Sequence, residues 1–558
     1  MKTTGWVLAS GLLLAGAAGC SDGGDATSAS SGDTTSSSST SGQGGAGGQG
    51  VGSTGGAGGQ GGQSVGSTGG TGSGGAGGQG GQGGQSVSST GGTGGAGGGA
   101  VDLLAPEVTA LSLAGSSLLR TASFPVRIQA HDDGGLARVG YSLNGAAEID
   151  LSVMSPAVKF DGDLDLRPTR GANEILVFAE DLAGHRTEVK LGASFTHPVS
   201  AGGSHTGAVV NGHLYAWGRN NLTQLGLGAG DTTARLLPEL IPALDDVTAV
   251  DFRQNQSLAL RQDGALFVWG SNADGRLGLG TQATQDTVNR ATPTQVSSLP
   301  GVLAATFGYD HTLVLLEDGT VRAFGDNSLG QLGDGSIEDR HYPVEVPGLT
   351  DIVQVVGGSK HSLALKRDGT VWAWGRNAFG NLGQGLADAD PHSTPLLVPG
   401  LAKVVHLASG RDHVLAVQAD GTVMGWGLNQ NGQVGVGTSG DGTDVYAPTL
   451  LTSLHDVIAV AADGNYGFAL HEGGTAVGWG QNFNGQLGIG ADDTSDRNAP
   501  DAPLALTSVI DLEPGATHAV ALTSTGVSTW GWSTNGTLGR PALLNNWAYP
   551  VPAAVVIP

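Results

Sequence analysis

Cysteine is almost missing from this chain: a single Cys in 558 residues rules out a disulfide scaffold. Basic side chains are scarce as well, with 25 Lys and Arg against 49 Asp and Glu and a formal charge of −24. Nucleic acid and anionic membrane faces are held by clustered Lys and Arg, so this balance excludes both as partners. Aromatics make up only 5% of the residues. No apolar run of bilayer-spanning length follows the N-terminus, so nothing there reads as a transmembrane helix. Glycine, by contrast, is in excess. Of 100 glycines, 35 fall within residues 21–100, a stretch with no aromatic residue, no Lys and no Arg, built from recycled units such as GGAGGQGGQSVGSTGG. Such a segment buries nothing that could offset its ordering entropy. It reads as a tether over 20–102, and a Gly-rich coil of about 80 residues has an end-to-end distance near 50 Å.

The N-terminus carries an address. Lys2 is followed by the apolar run Trp6–Ala18, which is too short to span a bilayer and suits a secretion signal. Ala17, Ala18 and Gly19 lead directly into the lone Cys20. This stretch resembles the bacterial lipobox, although Ala17 stands where Leu is commonest. The resemblance implies a signal peptide over 1–19 and a lipid anchor on Cys20, with membrane contact through the acyl chains only. Ser21 after the anchor resembles the signal for sorting to the outer membrane of a Gram-negative cell. The expected location is therefore the cell envelope, at the outer membrane or cell surface.

Residues 103–198 alternate apolar and polar positions over Val108–Leu113, Pro125–His131, Arg138–Leu143, Ile175–Ala179 and Thr187–Leu191. Asn144-Gly145 and Arg170-Gly171 supply turn chemistry, and no apolar stripe of helical period competes. An immunoglobulin-like β-sandwich is expected. The runs HDDGGLARVGYSLNG and RGANEILVFAEDLAGH resemble Ig-like modules of bacterial surface proteins. Asp132, Asp133, Glu180 and Asp181, if gathered at one end of such a sandwich, would offer hard oxygen ligands for calcium. Solvated turn residues are the competing reading, and no metal site is otherwise expected.

From residue 199 to 558 the chain repeats itself. An aromatic-Gly pair recurs at Trp217, Trp269, Phe324, Trp374, Trp426, Trp479 and Trp530, at intervals of 52, 55, 50, 52, 53 and 51. Around each pair lies one pattern, clearest from Gly358 to Gly385: a strand, an Asp-Gly turn read as a two-residue type I′ hairpin, a returning strand, then W-G-x-N and a Gly-rich run. The Gly-rich run precedes no helical pattern, so it has no helix N-terminus to receive a phosphate. Each unit supplies about four short strands, which is one propeller blade.

These motifs resemble the repeats of the regulator of chromosome condensation, a family of seven-bladed β-propellers. The resemblance implies an all-β chain in which a seven-bladed propeller follows the sandwich. A Pro-containing strand precedes the inner copies, as in Tyr342-Pro-Val-Glu, whereas the first copy has little before it and Tyr549-Pro-Val-Pro follows the seventh. The C-terminal strand is therefore expected to complete the first blade and close the ring.

His205, His311, His361, His413 and His518 occupy one repeat position, with Gln256 and Tyr466 in the remaining copies. Groups spread around seven sectors cannot converge on one metal, so these are expected to satisfy polar groups between blades. Asn220, Asn272, Asn327, Asn377, Asn429 and Asn482 read as loop-capping amides. No nucleophile, base and orienter can be assembled, so the chain reads as a non-enzyme without a cofactor. The segments after each Gly-rich run vary most between copies and must share one face of the disc. That face carries Asp231, Asp286, Glu338, Asp339, Asp388, Asp390, Asp441, Asp444, Asp492, Asp493 and Asp496, together with Tyr342, Tyr446 and Trp547. It is expected to bind a protein with a basic patch or a glycan that stacks on the aromatics. With 16 basic and 33 acidic residues in the propeller, the family's chromatin contacts are not carried over. The expected function is a surface-anchored binding scaffold. The alternatives are a regulator resembling the family's guanine-nucleotide exchange factors or β-lactamase inhibitors and, last, a hydrolase or lyase.

Overall fold

The computed structural model describes residues 86–89, 105–112, 124–151, 157–166, 171–242, 244–490, 493–541 and 547–558. The expected signal peptide, Cys20 and nearly all of the tether lie outside them, as does Asp492. Among the described residues the chain is all-β, broken by one 3-10 turn at Ala273–Gly275.

The first sheet comprises β1 (Ser86–Ser89), β2 (Glu107–Ser112), β3 (Phe124–Leu143), β4 (Ile149–Leu151), β5 (Ala157–Leu166), β6 (Gly171–Asp181) and β7 (Arg186–Phe195). Two strands read separately from the sequence are one here, because β3 runs through the Asp132–Gly135 stretch, where Gly135 takes a φ of +102°. Its first half lies between β2 and β5, its second between β4 and β6, so the strand passes from one group of partners to another. Alternation then selects the core: Val126, Ile128 and Ala130 on one half, Leu136 and Val139 on the other, and Ile175, Val177 and Ala179 on β6 are all buried. On the opposite side of β6, Phe178 is covered by the Arg186 guanidinium, 3.9 Å from its ring centroid. Asn144 and Gly145, with φ of +53° and +70°, make the type I′ turn that their sequence calls for.

Seven four-stranded antiparallel sheets follow. Their inner strands are Val199–Ala201, Val247–Arg253, Val302–Phe307, Ile352–Gly357, Val404–Ser409, Val457–Asp463 and Val509–Pro514. Each blade then continues outward through two strands to a fourth, outer strand, as in His361–Lys366, Val371–Gly375 and His392–Leu397 of blade 4. The aromatic residue before the glycine is fully buried in every copy. That glycine has a positive φ and lies against the backbone of the preceding strand. At Gly375 a Cβ would come within 2.6 Å of the Lys360 carbonyl oxygen, so no other residue fits.

Two expectations are corrected. The C-terminal strand Trp547–Ala554 pairs with Gly526–Ser533 and is the outer strand of blade 7, not a part of blade 1. Blade 1 has its own short inner strand, Val199–Ala201, buried at all three positions. The Pro-containing strands belong to the copy before them, so every blade is contiguous in sequence and the ring closes without a shared strand. Closure uses side chains instead. The Trp217 indole donates to the Thr537 carbonyl at 2.9 Å, Thr206 Oγ1 meets His518 Nε2 at 2.8 Å, and Val199, Ala208 and Trp217 share a core with Val520, Val527 and Val555. The second correction concerns the hairpins. Gly369 is left-handed but Asp368 is not, Gly369 donates to the Lys366 carbonyl, and Lys366 pairs with Thr370. This is a type I turn closed by a glycine bulge, with the Asp368 carboxylate accepting from the Thr370 N–H and hydroxyl. In blade 1 Asn211 tolerates a φ of +53° beside Gly212 at +80°, the left-handed pair of a type I′ turn, and in blade 6 Gly473 and Gly474 both take positive φ as well.

Candidate binding face

The seams between blades fix where everything else can sit. In six blades a buried indole N–H donates across the seam to one backbone carbonyl of the preceding blade: Trp269 to Gln224, Trp374 to Gln331, Trp426 to Asn381, Trp479 to Gln433, Trp530 to Gln486, and Trp217 to Thr537, all at 2.8–2.9 Å. Blade 3 has Phe324 and lacks this donor, and there the Thr312 hydroxyl donates to the Arg276 carbonyl at 2.7 Å. The histidines are part of the same seams. His205 Nε2 meets Ser257 Oγ, His311 meets Ser362 and His361 meets Ser409, each in the next blade. Gln256 and Tyr466, at the same position, donate instead to carbonyls of the next blade. The rings do not gather around a common point. Burial holds His205, His311, His361 and His413 down to about 3 and His518 to about 4, so at neutral pH all five are uncharged.

The variable loops grow from the repeat asparagine. Its Oδ1 accepts the N–H five residues on, as Asn327 does from Leu332 at 3.0 Å and Asn429 from Val434 at 3.0 Å. Its Nδ2 reaches into the loop, to the Ser336 carbonyl from Asn327 and the Thr438 carbonyl from Asn429. One buried amide thus ties the Gly-rich run to the divergent segment. The loop acids return the favour: Asp339 accepts from Asn327 N–H at 2.8 Å, Asp444 from Asn429 at 3.0 Å and Asp496 from Asn482 at 2.7 Å.

Much of the expected acidity is therefore spent within the loops. Asp231, Asp286 and Asp493 each pair with an arginine four residues on, namely Arg235, Arg290 and Arg497 at the start of the outer strand. Asp388 meets His392 in the same register at 2.9 Å. In blade 3 Arg340 takes Asp334 at 2.7 Å and lies 3.5 Å from Glu338. Sequence reasoning missed these arginines, although the D-x-x-x-R spacing was present in three copies. Among the expected acids, Glu338, Asp390 and Asp441 on blades 3 to 5 are exposed, the last held by Gln430 at 2.9 Å, whereas Asp339 and Asp496 are exposed yet engaged by backbone N–H groups. Apolar groups stand among the loops, with Val288 67%, Ile337 56% and Leu386 53% exposed. Tyr446 and Trp547 are exposed as expected, while Tyr342 is half-buried.

Between blades 2 and 3 the loops frame an open cleft of about 640 Å³, lined by Asp274, Asp326, Ile337, Glu338, Asp339 and His341 among others. Burial raises the Asp339 carboxyl above its ordinary range, and the charges of Asp326 and Asp274 push the same way against the Asn327 N–H. Asp326 itself is lowered: burial opposes ionisation, but the Lys360 ammonium beside it prevails.

The calcium candidates do not form a site. Asp181 Oδ1 accepts the Ala183 and His185 N–H groups at 2.8 Å, capping the β6–β7 turn, and Asp132 Oδ1 accepts Gly134 N–H at 2.8 Å. Glu180 faces Arg138 at 3.4 Å, and Asp133 points into solvent beside His131. Two of the four are turn caps, each with one oxygen committed to backbone, and the second oxygen of Asp181 faces His185 Nδ1 at 2.8 Å. Among the described residues the set of potential ligands that does converge is His197, Asp511 and Glu513. Sequence reasoning missed it because the inner strands vary at the positions of Asp511 and Glu513, and His197 precedes the first copy.

Seven contiguous blades, stapled by indole-to-carbonyl bonds around buried inner strands, define a β-propeller scaffold with one face of divergent loops. The chain belongs to the RCC1-like domain family, whose model matches residues 167–468. It is 35% identical over 311 residues to the ultraviolet-B receptor UVR8 of Arabidopsis thaliana, covering 54% of this chain and 56% of that protein. It is 27% identical over 347 residues to a secretion-regulating guanine nucleotide exchange factor of Bos taurus, covering 59% and 61%. Each match thus spans less than two thirds of the relative's length. Among solved structures, Prp20p from Saccharomyces cerevisiae superposes with a TM-score of 0.55 at 25% identity, covering 65% of this chain and 86% of that one.

Proposed function

We propose that this protein is a non-enzymatic binding scaffold whose propeller presents the variable-loop face to a protein partner. The carrying observation is the division of labour within the loops of blades 1 to 6: a buried asparagine fixes each base, while solvent-directed acids and apolar side chains such as Ile337 and Leu386 stand at the tips in blades 3 and 4. A rigid base lowers the entropy lost on binding, and apolar groups ringed by acids suit a partner with a basic rim. The solved relative is described by its binding to Gsp1p and histones, which supports protein recognition by this fold. In our reading the propeller is carried on an Ig-like domain over 103–198 and a Gly-rich tether over 20–102. Cys20 anchors it by lipid in the cell envelope, and a glycan stacking on Trp547 and Tyr446 is the other ligand class considered.

The test is capture from envelope extract by the full chain and by a triple variant, Glu338→Gln, Asp441→Asn and Trp547→Ala. A saturable partner that the variant fails to hold supports the reading, and equal capture by both overturns it. For the anchor, a Cys20→Ala chain that still sediments with membranes would refute lipidation. A second reading, regulation of a GTPase, draws on the bovine relative's description as an exchange factor. Accelerated nucleotide release from a small GTPase would favour it over passive scaffolding.

A further inference from the structure

We infer that Arg253 and Asp463 form a charged tie across the propeller axis, a device that clamps distant blades together beneath the centre of the loop face. Both residues end an inner strand, in blades 2 and 6. Each lies three residues before the position that carries histidine in five blades, since Arg253 precedes Gln256 and Asp463 precedes Tyr466. The other five blades have Gly202, Gly308, Gly358, Gly410 and Gly515 there, and each glycine N–H donates to the carbonyl of the histidine three residues on, at 2.7–3.0 Å. The two positions are sterically linked. A Cβ at Gly308 or Gly358 would stand 2.0 Å from the imidazole Cε1 of His311 or His361, and at Gly410 2.1 Å from that of His413. A blade can therefore hold the histidine or a side chain at the end of its inner strand, but not both. Blades 2 and 6 have the side chain, and Gln256 and Tyr466 keep the bonds to the next blade.

The exchange places one cation and one anion at the axis. Arg253 is wholly buried and Asp463 is 1% exposed. Arg253 Nη2 donates to the Gly357 carbonyl of blade 4 at 2.6 Å, passing blade 3, so this side chain runs inside the ring of inner strands and not along one seam. Blades 2 and 6 stand three sectors apart, the greatest separation that seven sectors allow. Arg253 Nε and Nη1 and Asp463 Oδ2 have no hydrogen-bond partner among the described residues. Asp463 Oδ1 accepts from the adjacent Gly464 N–H, which leaves Oδ2 for the interior. Burial pushes the guanidinium down and the carboxyl up. Against burial, Asp463 is the charge that does most to keep Arg253 ionised, ahead of Asp251, and Arg253 does most to keep Asp463 ionised. Asp251 is committed elsewhere, to the Phe307 N–H at 2.8 Å. Where water is excluded, attraction between charges reaches beyond contact distance, and either ion without the other would be strongly destabilising. The turns after the inner strands lie under the Gly-rich loops, since the N–H groups of Ser271, Arg376 and Gln481 donate to the carbonyls of Asn255, Lys360 and Asn465 at 2.8–2.9 Å. The tie is thus the floor of the loop face at its centre.

The test is a double-mutant cycle on the full chain with Arg253→Met, Asp463→Asn and the two together. Each single change strands one buried charge or its counterpart and should lower Tm by several degrees, whereas the double variant should lose clearly less than the sum of the two. Hydrogen exchange separates a tie from local packing. Asp463→Asn should speed exchange of inner-strand amides in blades 2 and 4, across the axis, as well as in blade 6. Additive losses of Tm, or exchange effects of Asp463→Asn confined to blades 5, 6 and 7, would each overturn the inference. Should a single variant fail to fold, replacements that copy the other five blades decide. A chain with Arg253→Gly and Gln256→His in blade 2 together with Asp463→Gly and Tyr466→His in blade 6 should melt above one changed in blade 2 alone. A lower Tm, or no folded product, for the fourfold variant would overturn the tie.

Discussion

The seams and the variable loops are built from the same repeat and obey opposite rules. At a seam the chemistry is restated seven times with few substitutions: an indole or a hydroxyl to one carbonyl, and an imidazole, amide or phenol to the next blade. In the loops only the base is restated, and the tips of blades 3, 4 and 5 share neither length nor residue order. The difference teaches where stability and recognition are kept. Everything that cannot be solvated lies in the wedge between blades, so loop tips are free to diverge once an asparagine has secured them.

The sharpest way to break the seams is acid, because five imidazoles would charge together. Their folded values lie at about 3 to 4, below the ordinary value near 6.5. The unfolded chain therefore binds more protons than the folded one between those limits. Stability is full above about pH 6.5 and falls as pH drops, by about 2 kcal/mol per imidazole at pH 5. Urea midpoints measured from pH 7.5 to 4.5 should decline steeply, and His361→Gln, which copies Gln256, should flatten the slope by about one proton. A flat profile would remove the seam argument.

Next in size is Trp374→Ala. It deletes a fully buried indole and its bond to Gln331 and should cost about 3–5 kcal/mol in urea unfolding. Trp547→Ala, 60% exposed on the loop face, should change stability by less than about 0.5 kcal/mol. Asn429→Ala sits at the boundary of the two regions. It strands the Val434 N–H and the Thr438 carbonyl at a cost of about 1–3 kcal/mol, with faster amide exchange confined to the loop of blade 5. Phe324→Trp would supply the one missing indole donor. Stabilisation of up to about 1 kcal/mol is expected at the blade 2–3 seam, since Gly278 lies under Phe324 as Gly333 lies under Trp374.

The blade count was legible because a buried aromatic followed by a left-handed glycine tolerates almost no substitution, and its period of about 52 residues survives all other drift. The phase of the repeat was not. Tyr342-Pro-Val-Glu reads equally well as the end of one copy or the start of the next, and only its pairing with Arg322–Gly325 decides. Hairpin type was misread because Asp-Gly suits both a type I′ turn and a bulged type I turn, and the Thr370 hydroxyl that favours the second lies outside the dipeptide. The loop acids were legible as residues but not in their bookkeeping, since pairing with Arg235, Arg290 and Arg497 depends on where the outer strand begins. In the N-terminal sheet β5 went unread, and the Asp132–Gly135 stretch looked like a break between strands when it is a bend within one.

Closure of the ring without a shared strand leaves little mark of where the polypeptide starts. The joint between the last blade and the first is made of indole, hydroxyl and imidazole contacts of the kinds that recur at the other seams. A circularly permuted gene opened between any two neighbouring blades would keep all strand pairing intact, and whole blades are the natural unit by which such a ring can gain or lose a sector.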